Sequence, residues 1–159
     1  MEADRWAKFV GPNAMVRAGM ALFFSRAEEL EQLTSDRAEI SVYRVGRSTL
    51  VTRVTGHPDV QAVELLMRRS DDLIARVGSI DVVHDWFGVT AYRADIRARI
   101  TPWAEKTKAQ HRGIHIGASS SIVRMGVTMV RLVAGSPLHA YDSLDELERV
   151  LAEILRRAA

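Results

Sequence analysis

Ser79-Ile80-Asp81-Val82-Val83-His84-Asp85 runs directly into Trp86-Phe87-Gly88-Val89-Thr90-Ala91-Tyr92, and a long helical pattern follows. A short apolar run bounded by turn residues reads as a buried strand, of the kind that sits between helices in a parallel sheet. The run predicts a strand over 80–83 that ends in an acid, Asp85. In parallel α/β sheets, ligands and partners are met at the carboxyl ends of the strands, so residues 85–95 are the first place to look for function. The chain has no cysteine, no nucleophile elbow and no glycine-rich phosphate loop. The stretch indicates a fold and no reaction.

The flanking sequence continues the pattern. Ile40-Ser41-Val42-Tyr43-Arg44-Val45 alternates, Gly46-Arg47 turns, and 48–54 alternates again, which predicts a hairpin. Gly56-His57-Pro58-Asp59 then ends the second strand and opens a helix, with Pro58 near its first position. Val60, Val63, Leu66, Met67, Leu73, Ile74 and Val77 form the apolar face of that helix, and Gly78 closes it. Beyond the central strand, Ala94, Ile96, Ile100, Trp103 and Ala104 predict a second helix with Pro102 as a kink or break. Gly113-Ile114-His115-Ile116-Gly117 reads as a short strand. A third helix runs through Ile122, Val123, Val127, Val130 and Val133 to Gly135; it is apolar on most sides and is expected to be among the most buried. Leu138-His139-Ala140-Tyr141 is a last short strand. Ser143-x-x-Glu146 has capping-box form, and Leu144, Leu147, Val150, Leu151, Ile154 and Leu155 make a terminal amphipathic helix. The order β-β-α-β-α-β-α-β-α predicts an α/β fold with a mixed, mostly parallel sheet flanked by helices.

Residues 1–36 have a different texture. After Pro12-Asn13, the residues Val16, Met20, Phe23, Phe24, Ala27 and Leu30 recur at helical spacing. The reading is one helix over about 13–33, or two pieces broken near Ser25, where Ser25-x-x-Glu28 has capping-box form. This divides the chain into an N-terminal helical extension, 1–36, and an α/β domain, 37–159. Met15, Met20, Phe23 and Phe24 are a large apolar surface for an appendage and have to pack on the domain or on a second copy. Met20, Phe23 and Phe24 are therefore the candidates for self-association as a homodimer.

Composition narrows the classes. The chain has 159 residues, 47% of them hydrophobic, enough for one domain with a proper core. The 22 basic residues nearly balance the 20 acidic ones, so the net charge of +2 is no nucleic-acid footprint. Without cysteine there are no disulfides, thiolate metal sites or cysteine nucleophiles. No apolar run approaches the roughly 18–20 residues of a membrane span, and no signal peptide is evident. The expected location is the cytoplasm.

The element order resembles the STAS domain, the family of bacterial anti-sigma factor antagonists and the sulfate-transporter cytoplasmic domain. The stretch from Gly46 to Gly56, the Pro58 helix start, and Asp81-Val82-Val83-His84-Asp85-Trp86-Phe87-Gly88-Val89-Thr90 look like that family's hydrophobic strand leading into Asp and Gly-Val-Thr. Ser143-Leu144-Asp145-Glu146-Leu147 is similar to its final helix start. The resemblance covers about 39–157 and is one of layout more than of identity. It implies a STAS-like fold and a non-enzymatic regulatory module that binds a protein partner such as an anti-sigma factor or kinase-like protein, with no cofactor. The family's switch is a serine, phosphorylated by a partner kinase, in a turn that here falls near Arg93-Ala94-Asp95-Ile96. No serine or threonine stands there, and Asp95 is at or within one place of it. Asp95 reads as an acid favourable at a helix start, or as a permanently negative stand-in for phosphoserine. A looser resemblance to the SpoIIAA-like group with a Sec14-like fold implies the alternative, a binder of an apolar small molecule or lipid. Trp86, Phe87, Tyr92 and Trp103 would line its pocket.

The remaining candidates are local. The partner surface is expected at Asp85, Thr90, Tyr92, Arg93, Asp95 and Arg97, joined by Ser119 and Ser120. Asp85 orders the turn, Thr90 and Tyr92 present polar contacts, and Thr90 is a second candidate phosphosite. Arg93, Asp95 and Arg97 set charge complementarity. Ser119-Ser120-Ser121 reads as ordinary N-capping, or as an anion site beside that surface. His111 and His115 are four apart, but no third ligand lies nearby in sequence, so no metal site is assigned. His84 and Asp85, adjacent on a strand, point to opposite faces and make a poor catalytic pair.

Overall fold

The computed structural model describes residues 27–158. Its sheet has six strands in sequence order: β1 (Ala27–Thr34), β2 (Ala38–Val45), β3 (Thr49–Gly56), β4 (Ile80–Val89), β5 (His111–Gly117) and β6 (Leu138–Tyr141). The first three are antiparallel neighbours, and β3 through β6 pair in parallel. The helices are α1 (Val60–Val77), α2 (Ala94–Thr107), α3 (Ser121–Ala134) and α4 (Leu144–Ala158). This is the α/β sandwich that the alternation of strands and helices predicts.

Two apolar layers hold it together. Ile40, Val42, Leu50, Val54, Val82, Trp86 and Ile114 face α1, α2 and α3. Val45, Val51 and Val83 face α4, which buries Leu147, Leu151, Ile154 and Leu155 against them. The alternation of Val82 and Val83 between layers is the period-2 signature of a strand covered on both faces. Asp59 caps α1 by accepting from the Ala62 N–H at 3.0 Å, so Pro58 lies just ahead of the cap rather than inside the helix. Pro102 sits inside α2 without ending it.

Three expectations are corrected. Ala27 to Leu33 is an edge strand, not part of a helix. Ala, Glu and Leu favour helix, but β1 pairs with β2 along its length. Glu28 pairs with Arg44, and Glu31 accepts from Arg68 and Arg69 of α1 at 3.0–3.1 Å. These tertiary ties outweigh local propensity, and Glu28 is not the third residue of a capping box. The rest of the N-terminal segment, including Met15, Met20, Phe23 and Phe24, lies outside the described residues.

The second correction concerns the central strand, which does not stop at Val83 but runs to Val89. It pairs with β5 only as far as Asp85↔Gly117, and with β3 on to Gly56↔Val89 after a bulge. Gly88 makes the continuation possible, because a Cβ there would lie 2.6 Å from Thr55 Cγ2. Third, α3 is not a fully buried helix. Ile122, Met125, Leu132 and Val133 are 60–74% exposed.

Candidate functional site

The carboxyl end of β4 is where the sheet divides. Past Asp85 the strand leaves β5 and follows β3 alone, and the chain from Thr90 crosses to α2. Asp85 is therefore inside a strand, at the bulge. Its Oδ1 accepts from the Phe87 N–H at 3.2 Å, which orders the bulge, and burial pushes its carboxyl upward, opposed by that bond and by Arg53. It orders the backbone at this end of the strand.

Two ties pull the start of α3 onto the same end. Ser119 Oγ donates to the Phe87 carbonyl at 2.9 Å. Tyr92 lies against Gly126 of α3, where a Cβ would come within 2.0 Å of its hydroxyl. A glycine in a helix interior costs roughly 0.5–1 kcal/mol relative to alanine, and here it makes room for an aromatic ring. Tyr92 is therefore seated on α3 and half-buried, instead of being presented to solvent.

The other predicted residues fall around this junction. Thr90 is exposed; its N–H and its hydroxyl both donate to the Gly56 carbonyl, at 3.0 and 3.3 Å. Arg93 is the N-cap residue of α2 and makes no side-chain cap. Its Nε lies 3.4 Å from Asp95 Oδ2, both groups being largely solvated, a pair worth little. Asp95 stands in the first turn of α2, with its side chain 46% exposed. Arg97 reaches α3, its Nη1 lying 3.2 Å from Met129 Sδ. Ser120 is the N-cap of α3 and accepts from the Val123 N–H at 3.4 Å, as ordinary capping requires. The geometry thus brings Thr90, Arg93, Asp95, Arg97 and Ser119 around one end of the sheet.

Beneath them, between the sheet and the helices, lie two adjoining cavities of about 60 and about 50 Å³. They share Trp86, Ile100, Ile116 and Leu138 in their walls. Trp103 lines the first cavity and Tyr92 the second. Phe87 does not join them. It faces α4, lying over Gly117, where a Cβ would meet its ring at 2.3 Å. Strand alternation sends Trp86 and Phe87 to opposite layers.

The larger cavity also holds polar groups whose placement together the sequence did not show. His84 Nδ1 and the fully buried Thr52 Oγ1 share a hydrogen bond at 2.5 Å. Burial, reinforced by His111 and His115, pushes the His84 imidazole down to about 3, so it is neutral at pH 7. His111 Nδ1 donates to the Thr107 carbonyl at 2.9 Å, which leaves Nε2 as an acceptor; that atom is buried without a partner. The buried indole N–H of Trp86 is likewise unpartnered. Buried polar atoms are usually satisfied, so a donor and an acceptor left over around one cavity are notable. Their only sequence signal was a histidine and a tryptophan of matching strand parity, which says nothing about pairing.

The histidines do not gather around a metal. A shift in the β4–β5 register puts His111 among the cavity residues, while His115 stacks on His139 and bonds Tyr141 Oη at 2.9 Å. Among the described residues no group of three or more His, Cys, Asp or Glu is placed to hold a metal ion. No helix among them is long and apolar enough to cross a membrane.

The architecture is similar to that of a crystallised, uncharacterized protein of the DUF3478 family with a SpoIIAA-like fold from Shewanella loihica PV-4. The two share 10% identity and a TM-score of 0.54 over 75% of this chain and 98% of that one. An anti-sigma factor antagonist from Mycobacterium paratuberculosis aligns over 78% of this chain and 92% of its own at 18% identity, with a TM-score of 0.46. The anti-sigma factor antagonist SpoIIAA in its unphosphorylated form aligns over 70% of this chain and 96% of its own at 17% identity, also with a TM-score of 0.46. No protein-family model and no curated protein matches the chain. The fold is the SpoIIAA-like fold, and at these identities the likeness speaks for the fold alone.

Proposed function

We propose that this protein is a non-enzymatic, cytoplasmic module of bacterial regulation that binds a protein partner, in the manner of anti-sigma factor antagonists, with Asp95 in the place of the phosphoserine. The observation that carries this reading is the position of Asp95. It stands solvent-accessible in the first turn of α2, among exposed Thr90, Arg93 and Ser119 at the carboxyl end of β4. A carboxylate there is held by the helix N-terminus and presents one fixed charge where a phosphoserine would present nearly two. Thr90 keeps its hydroxyl at the surface and is the alternative phosphosite. Affinity capture from the native host, comparing wild type with Asp95→Arg and with Glu153→Arg on the far face, tests it. The reading expects a regulatory protein retained by wild type and Glu153→Arg and lost with Asp95→Arg. Capture indifferent to Asp95 would remove this surface from consideration.

The cavities favour a second reading, a binder of a small apolar molecule carrying one polar group. Each cavity is smaller than the ~150 Å³ that admits benzene, so an aromatic ligand would have to span both, past Trp86. Phenol is the probe, since its hydroxyl matches the free acceptor of His111. Saturable movement of the Trp86 indole N–H resonance supports the reading; a linear drift with concentration counts against it.

A further inference from the structure

Six large hydrophobic residues are exposed among the described residues, and five of them lie on one helix: Ile122, Met125, Met129, Leu132 and Val133 of α3. Packing on the sheet does not account for them, because α3 already buries Val123, Gly126, Val127, Val130 and Ala134 on its other face. The first four of the exposed residues are spaced three, four and three apart. That is the seam spacing of a coiled coil, in which apolar side chains repeat and interlock with those of a second helix. A free helix of this length is marginal in water, but the sheet already holds α3 in shape, so the seam is ready-made.

The flanks of the seam decide what kind of helix fits it. Charged residues beside a seam set partner choice by attraction and repulsion. Here the flanking positions are Ser121 and Thr128 on one side and Gly126 and Val133 on the other, all uncharged. Arg124 and Arg131, the only charged residues of α3, stand about 120–140° around the helix from the middle of the seam. Arg97 of α2 touches the rim at Met129, in a contact open to water, where its charge is screened. An acidic partner or an anionic lipid surface finds no charge within the seam to recognise, and an identical helix meets no like charge there.

The spacing also reads the same in both directions. Ile122, Met125, Met129 and Leu132 lie symmetrically about position 127. A two-fold axis there, perpendicular to α3, sets two copies of the helix antiparallel. Ile122 of each copy then lies beside Leu132 of the other, and Met125 beside Met129, a self-complementary contact. Each helix N-terminus meets the other's C-terminus, the favourable arrangement of the dipoles. The exposed fractions of the five residues, 41–74%, amount to about three whole side chains per copy, and burying them in two copies reaches about the 1,000 Å² at which specific interfaces begin.

We infer that α3 is a dimerisation element, pairing antiparallel with the α3 of a second copy of this chain through Ile122, Met125, Met129 and Leu132. Val133 closes one flank of the contact. The pairing needs neither the surface around Asp95 nor the cavities, and its test involves no other protein.

The absence of native cysteine makes the test direct. Full-length Ile122→Cys and Leu132→Cys variants are purified separately, mixed under reducing conditions to exchange subunits, and oxidised, and their disulfides are identified by mass. The expected result is a mixed disulfide forming at least about tenfold faster than either variant pairs with itself. The two-fold axis holds like positions about 15 Å apart along the helices, whereas a disulfide spans under about 7 Å between Cα atoms. Sedimentation supplies the second measurement. Wild type is expected to sediment as a dimer, and Leu132→Asp as a monomer with unchanged circular dichroism, since Leu132 is at the surface and its replacement leaves the core intact. A mixed disulfide no faster than with Glu153→Cys of α4 in place of Leu132→Cys overturns the proposal. So does faster self-pairing of either variant, which would mean a parallel contact. A monomeric wild type overturns it, whether the stripe then stays open, takes up residues ahead of Ala27 or binds anionic vesicles. A Leu132→Asp variant that stays dimeric overturns it as well.

Discussion

Helices α3 and α4 cover opposite faces of the same sheet and are both amphipathic, yet they meet solvent differently. α4 buries Leu147, Leu151, Ile154 and Leu155 and carries Asp145 and Glu146 in its first turn and Arg156 and Arg157 in its last. Those charges complement the helix dipole, and the outer surface is finished. α3 buries its valines and shows solvent methionines, isoleucine, leucine and valine. Its side of the sheet also holds both cavities, the neutral His84 and the unpartnered Trp86 and His111 atoms. The α4 side closes its apolar surface against the sheet. The α3 side leaves apolar surface exposed and polar atoms unpartnered.

The contrast can be broken most sharply on the α4 side. Leu151→Ala removes a side chain only 4% exposed, and is expected to cost about 2–5 kcal/mol of stability in urea unfolding. A cost under about 1 kcal/mol would mean that α4 is not the better-packed face.

Acid should act next, chiefly through His84 on the α3 side. His84 is held at about 3, below the ordinary 6.5, because its charged form is desolvated. The unfolded chain therefore takes up the proton first. The stability His84 contributes is complete above pH 6.5 and is lost as pH falls from there toward 3, at up to about 1.4 kcal/mol per pH unit. His115, held at about 4 but only partly buried, adds a smaller, solvent-screened loss over a narrower window. His84→Asn keeps an acceptor for Thr52 and cannot gain charge, so its stability should fall less steeply over this range. A slope equal to that of wild type would take His84 out of the account.

The smallest expected effect is at Trp86. Trp86→Phe deletes the unpartnered indole N–H and enlarges the cavities, two changes that oppose each other. The net change is expected within about 1 kcal/mol. A loss several times larger would show that the N–H has a partner, and that this side of the sheet is as fully satisfied as the other.

What was legible in the chain follows from how local each signal is. The hairpin over β2 and β3, the Gly78 end of α1, the Ser120 cap and the apolar face of α4 each depend on a few neighbouring residues. Periodicity and capping chemistry find such features. β1 failed that test, because Ala27 to Leu33 prefers a helix until β2 and the arginines of α1 are beside it. Placement of the site was half legible. The sequence pointed to the end of β4, but periodicity could not show that Tyr92 turns onto Gly126, that Asp85 stays inside a strand, or that Phe87 faces away from Trp86.

The sequence by itself determined the order of strands and helices from β2 onward, the mostly parallel character of the sheet and the exclusion of thiol chemistry. Composition and short-range periodicity are properties of neighbouring residues and survive without a fold. Tertiary structure alone decided which face of α3 is covered and which polar atoms are left without partners. These depend on what lies across a sheet spacing or a helix interface, and residues distant in sequence set them.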